Sequence, residues 1–191
     1  MKLIKYVFIV FLFIFTLNNN YGQNMRNIAL ENYFLNEILG GMEINIYDIK
    51  TKNEIYEYFG TPINETVNIE ECFLDTSGEI IEDIFSTGTI GSRRIVYSDL
   101  IHSFAILKFR GRQLFERYNS IEINNPLERL QTINIGDNIN KLIEVFGNNY
   151  NRTRDNNCII YYGFNNMGGG IHFYFENNII NKIVCIFFYY E

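Results

Sequence analysis

Residues 133–147 read INIGDNINKLIEVFG, and the reading of this stretch decides the fold expected of the chain. It predicts a short strand, a turn, a capped helix and a stop. Asn138 has the side-chain oxygen that accepts from the free N–H groups of a first helical turn. Ile139, Leu142, Ile143 and Phe146 follow at i, i+3, i+4 and i+7, which is one apolar face of a helix. Gly147 supplies the left-handed residue on which helices end.

A weaker copy lies upstream at 44–60, INIYDIKTKNEIYEYFG. Ile44 and Ile46 alternate with Asn45 as in a half-buried strand. Thr51-Lys52-Asn53-Glu54 spells a capping box. Ile55, Tyr58 and Phe59 share a face, Gly60 stops the helix, and Pro62 prevents its continuation. Three strands are expected after each helix: Arg94–Ser98, Phe104–Arg110 and Gln113–Ile123 in the first copy, and Cys158–Phe164, Ile171–Glu176 and Ile179–Tyr190 in the second. Gly111-Arg112 and Asn177-Asn178 mark the matching tight turns. The expected fold is therefore α+β, with two tandem units, each a helix followed by a three-stranded antiparallel sheet. The units span 43–124 and 131–191, after an N-terminal helix or linker at 23–42. The first carries an acidic insert at 63–92, read as an extra hairpin or a loop, which holds Glu65, Glu70, Glu71, Asp75, Glu79, Glu82 and Asp83.

Gly136-Asp137-Asn138 followed by Leu142, Val145, Phe146 and Gly147 resembles the helix signature of two groups of bacterial envelope proteins. These are the SmpA/OmlA (BamE-like) assembly lipoproteins and the β-lactamase inhibitor proteins. The tandem arrangement is more similar to the inhibitors. The chain departs from both patterns: Asn138 stands where a hydroxyl cap is usual, no lipid-attachment cysteine follows the leader, and the repeats lack paired cysteines. The resemblance implies an α+β fold that binds other proteins, with the partner unidentified.

The N-terminus reads as an export signal over residues 1–22. Lys2 and Lys5 precede an apolar run from Tyr6 to Leu17, broken only by Thr16. That run is too short to cross a hydrocarbon core of ~30 Å as a helix. No stable membrane span is expected after cleavage, and the expected location is periplasmic or extracellular. Cleavage after Gly22 removes two lysines and no acid, leaving 14 basic against 22 acidic side chains. This balance argues against nucleic-acid binding, which needs a basic footprint.

No catalytic, cofactor or metal constellation emerges from the sequence. Cys72, Cys158 and Cys185 lack C-x-x-C spacing and read as small buried hydrophobes. An Asn177-Asn178 hairpin would set Phe175 opposite Ile180 and Gly170 opposite Cys185, with Cys158 too distant for a 158–185 disulfide. His172, Tyr174 and Glu176 alternate on one face of a strand, which is the composition of an acid–base site and equally of an exposed sheet face. His102 reads as part of a loop. Arg93-Arg94 and Arg152-Thr153-Arg154 read as solvated charges. Asn165 to Gly170 reads as a glycine-rich hairpin loop. Tyrosines beyond what one helix can bury offer either inter-repeat core or a protein-contact surface. The candidate contact residues are Tyr161, Met167, His172, Tyr174, Phe188 and Tyr190. The leading expectation is a non-enzymatic binding or assembly module of the envelope. The alternatives are an inhibitor or immunity-type protein that binds a secreted hydrolase, and a hydrolytic enzyme with a site near His172.

Overall fold

The computed structural model describes residues 27–42, 49–70, 77, 80, 88–108, 114–162 and 169–187. The proposed signal, the strand expected at Ile44–Ile46, the Gly111-Arg112 turn and the candidates Met167, Phe188 and Tyr190 lie outside these residues.

Among the described residues, three short helices pack on one antiparallel sheet. Residues 27–32 are α-helical and pass into a π-helical stretch, Tyr33–Ile38; together they form α1. Helix α2 is Lys52–Phe59 and α3 is Ile139–Phe146. The strands are β1 Asn64–Ile69, β2 Gly88–Val96, β3 Ile101–Lys108, β4 Phe115–Ile123, β5 Asn151–Arg152, β6 Cys158–Tyr162, β7 Gly170–Glu176 and β8 Ile179–Ile186. Their spatial order is β1-β2-β3-β4-β8-β7-β6-β5.

This sheet overturns the expectation of two separate helix-plus-three-strand units. All eight strands form a single sheet, because β4 pairs antiparallel with β8 through Ser120–Ile186, Ile121–Cys185, Glu122–Val184 and Ile123–Ile183. The physical reason lies in the last strands. Left apart, β4 and β8 would each present a row of unpaired backbone groups, and β8 is rich in apolar side chains. Joining them removes both edges. The acidic insert takes the extra-hairpin alternative. The acidic insert contributes β1 and the start of β2, and β5 is a two-residue strand that its Asn-Arg spelling does not announce.

The opening motif keeps its helix and loses its strand. Ile133–Ile135 is irregular, held by Asn134. The Asn134 amide donates to the Leu127 carbonyl at 2.7 Å, and its oxygen accepts from the Leu127 N–H at 3.1 Å, so local side-chain bonds replace a ladder. Both helix starts and stops form as spelled. Asn138 Oδ1 accepts from the Asn140 N–H at 2.9 Å, and Glu54 accepts from the Thr51 N–H at 2.8 Å. Gly60 and Gly147 have φ of 78° and 79°, a region that disfavours a side chain. In each case a tyrosine from the sheet secures the stop. The Tyr97 hydroxyl donates to the Gly60 carbonyl at 2.9 Å, and that of Tyr161 to the Gly147 carbonyl at 2.7 Å. Replacing Asn138 with Ala is expected to cost about 1 kcal/mol in urea unfolding, with Ser nearly neutral. An unchanged midpoint for the Ala variant would show that the cap contributes nothing.

The helices cover one sheet face, and a single core runs beneath them. Tyr33 of α1 lies between Phe146 of α3 (ring centroids 5.7 Å) and Phe173 of β7 (6.2 Å). Phe34 meets Phe187 at 5.9 Å, and Phe187 meets Tyr118 of β4 at 5.3 Å. Helix α1 thus spans the β4–β8 seam. Its C-terminal carbonyls are capped by Arg129, which donates to Glu37 O at 2.9 Å and pairs with Asp99 at 2.7 Å.

Two asparagine bulges reconcile the central strands with this core. The register of β3 on β4 skips Asn119, and that of β7 on β8 skips Asn181. Each extra residue reverses the alternation. Ile180 and Ile183 therefore both face the helices, while Lys182 turns to the other side. The Asn181 bulge also moves the expected register by one. Phe175 does face Ile180, but Cys185 is opposite Ile171 and not Gly170. Cys158 and Cys185 are free thiols on opposite sheet faces.

Candidate protein-contact surface

The sheet face opposite the helices carries a partly exposed aromatic group of the kind that sequence parity anticipates. Strand pairing sets Tyr162 against Gly170, Ile160 against His172 and Cys158 against Tyr174 across β6 and β7. Across β7 and β8 it sets His172 against Val184 and Tyr174 against Lys182. The rings of Tyr162 and His172 meet edge-on at 6.5 Å, and those of His172 and Tyr174 stack at 6.4 Å. Lys182 Nζ lies 4.4 Å from the Tyr174 ring centre, a cation–π contact at the margin of the group. Tyr162 is 44% exposed, while Ile160 and Val184 at the centre are buried.

Two local features create this surface. Gly169 lets β7 approach the end of β8, since a Cβ there would lie 2.1 Å from the Ile186 carbonyl oxygen. Part of the glycine-rich run is thus explained by backbone packing. The Asn181 bulge then brings Lys182 over Tyr174.

The electrostatics suit contact more than acid–base work. Burial holds the His172 imidazole below its usual pKa, so it is uncharged at neutral pH, and its Nε2 has no hydrogen-bond partner among the described residues. Its cross-strand neighbours are Ile160 and Val184, neither of which can accept or relay a proton. Glu176 is exposed at the end of β7, beyond the bulge that shifts the register between Tyr174 and Phe175. The Tyr174 hydroxyl is raised, mainly by burial and then by Cys158, Glu122 and Asp155. Among the described residues, no group of three or more His, Cys, Asp or Glu side chains is placed to hold a metal ion.

The predicted contact residues therefore separate. His172 and Tyr174 adjoin on the surface. Tyr161 does not join them, because its ring is wholly buried on the helix side against Phe146, 5.6 Å away. Tyr162, one residue on, is the tyrosine that reaches this face, and strict alternation from Cys158 would have selected it.

Three further groups differ from their sequence reading. His102 is not in a loop: it is fully buried on β3, with Nδ1 2.6 Å from the Tyr118 hydroxyl and its ring 4.4 Å from that of Phe59. Burial lowers its pKa to about 3, against a smaller opposing effect of Asp99. Arg93 is not a solvated charge: it sits on the helix side between Glu65 and Glu116, with Nη2 2.7 Å from Glu116. A cavity of about 640 Å³ lies beside this network, walled by Val67, Ile69, Ile106 and Phe115 and rimmed by Lys50 and Lys52. Its Arg93, Glu116 and Lys52 charges are already paired within the protein.

Among the described residues, no helix is long and apolar enough to cross a membrane. Comparison of the chain with protein-family models, with curated proteins and with solved structures finds no match in any of the three.

Proposed function

We propose that the protein is an exported, non-enzymatic binding module of the bacterial envelope, and that it meets its protein partner through the β6–β8 face around Tyr162, His172 and Tyr174. The observation that supports this most directly is the uncharged aromatic cluster on the sheet face opposite the helices, with Lys182 at its margin. A partly exposed group of large amphipathic rings contributes contact area at low entropic cost, and a charged margin orients the partner. The charged, then apolar N-terminal spelling supports export, and the resemblance of Gly136–Gly147 to envelope binding proteins supports binding over catalysis.

The test is residue-specific photocrosslinking in the native envelope. A crosslinker at Tyr162 is expected to trap one stoichiometric partner, and one at Val145, exposed on α3, is not. Replacing Tyr162 and Tyr174 with Ala should lower partner recovery roughly tenfold or more, the effect of losing contact hot spots, with the circular dichroism spectrum of the folded protein retained. Equal trapping from both positions, or undiminished recovery by the double variant, would remove this face from the function.

A further inference from the structure

The two outer edges of the sheet are built differently. The β5 edge has two residues and carries Arg152, so it offers little backbone to another chain. The β1 edge has six residues, NETVNI, with no lysine and no bulge in its pairing to β2. Pro62 precedes it and does not interrupt it. Its one charge is turned onto the protein's own helix side, where Glu65 is held by Lys52 at 3.0 Å, by Arg93 and by the Tyr56 hydroxyl. Asn64, Thr66 and Asn68 are exposed, and Val67 is 47% exposed. Among the described residues, the usual guards of an edge strand, a short span or an outward charge, are present on β5 and missing from β1.

The hydrogen-bond alternation identifies which backbone groups are open. The Glu70 N–H donates to the Ile90 carbonyl at 2.9 Å, directly across from it in register, and the Tyr97 N–H bonds the other way, to Leu100 of the β3 side. Counting back by twos, Asn64, Thr66 and Asn68 bond to β2, and Glu65, Val67 and Ile69 direct N–H and C=O outward.

This open row is self-complementary. We propose that a second copy of the chain pairs with it, β1 against β1 in antiparallel register about a two-fold axis through Val67. That register places Val67 opposite Val67 and Glu65 opposite Ile69 in both directions. On the other face it places Thr66 opposite Asn68, and Asn64 opposite Glu70. No two like charges face each other, and each exposed Val67 side chain covers its counterpart. An isologous contact of this kind closes on itself, giving a dimer and not a fibre. The dimer joins the sheets edge to edge and leaves the β6–β8 face of each copy at the far end, so it stands apart from the partner surface proposed above.

Sedimentation or light scattering of the purified protein over a concentration series is expected to show a monomer–dimer equilibrium. Val67→Pro removes an N–H that faces away from β2, so the internal ladder stays whole while the pairing row is broken. Val67→Lys places two like charges on the axis. Each variant is expected to be monomeric throughout the series with an unchanged circular dichroism spectrum; if the proline variant misfolds, the lysine variant decides. Monomeric wild-type protein at the highest concentration, or a dimer that survives Val67→Lys, would overturn the proposal. A heterologous strand that binds monomeric wild-type protein and is lost with Val67→Lys would assign the edge to another chain instead.

Discussion

Acidification is expected to destabilise the protein well above the pH at which its carboxylates protonate, and His102→Gln is expected to remove most of that loss. His102 is fully buried, and its folded pKa lies near 3 because burial penalises the imidazolium. An unfolded histidine titrates near 6.5. Above about 6.5 both states are neutral, and this residue adds no pH dependence. Below it the unfolded chain takes up a proton that the folded chain refuses, so stability falls as pH falls, by roughly 1.4 kcal/mol per unit. Between pH 6.5 and 4.5 the expected loss is roughly 2.5 kcal/mol, measurable as a lower urea midpoint. His172, also held below its ordinary value by burial, adds a smaller loss of the same sign. The lowered carboxyls of Glu65 and Asp99 act in the same direction at still lower pH. His102→Gln can keep a polar atom facing Tyr118 without a titrating proton. A wild-type midpoint that is flat from pH 7 to 4.5 would show that the imidazole is accessible to water.

The second large effect is expected at Phe146. Its ring is 2% exposed and lies within about 6 Å of the rings of Tyr33, Tyr161 and Phe173, so it joins α1, α3 and the sheet at one point. Phe146→Ala removes the buried ring and leaves a cavity between elements tied elsewhere by hydrogen bonds. The expected loss is about 3–5 kcal/mol, a large part of the stability of a domain this size. Phe146→Leu should recover much of it. The neighbouring Val145→Ala, at an exposed position of the same helix, should change the urea midpoint little. Similar losses for Phe146→Ala and Val145→Ala would show that helix propensity, and not this aromatic junction, sets the effect.

What the sequence made legible was mostly local. The α2 and α3 boundaries could be read because caps, apolar stripe and stop glycine lie within one short window and act through neighbouring backbone. The β7–β8 turn could be read because Asn177 and Asn178 both tolerate positive φ, as they do here. The sheet as a whole could not. The β4–β8 pairing joins strands far apart in sequence, and no residue type marks a strand for a distant partner. The bulges at Asn119 and Asn181 were hidden for a related reason: a single extra residue reverses every side chain beyond it, and asparagine is common throughout the chain. On the sheet face opposite the helices, period two places His172 and Tyr174 together, whereas Tyr161 was chosen for its ring and not its parity and lies on the helix side. Arg93 was read as solvated because its carboxylate partners, Glu65 and Glu116, come from other strands.

The seam between β4 and β8 also has a kinetic consequence. The β2–β3, β3–β4, β6–β7 and β7–β8 pairings are close in sequence and can zip from their turns on the microsecond scale of hairpins. The seam must instead bring residues 120–123 to residues 183–186. Closing so long a loop loses chain entropy before any contact repays it, which places the seam late on the folding path. Helix α1 can complete its docking only after that, because Phe34 rests on Phe187, which itself stacks on Tyr118 of β4 across the seam. Helix α1 is therefore expected to be among the last elements to settle. Until it does, the apolar surface under Tyr33 and Phe34 stays open, and a newly made chain passes through a state in which that surface is available to other proteins.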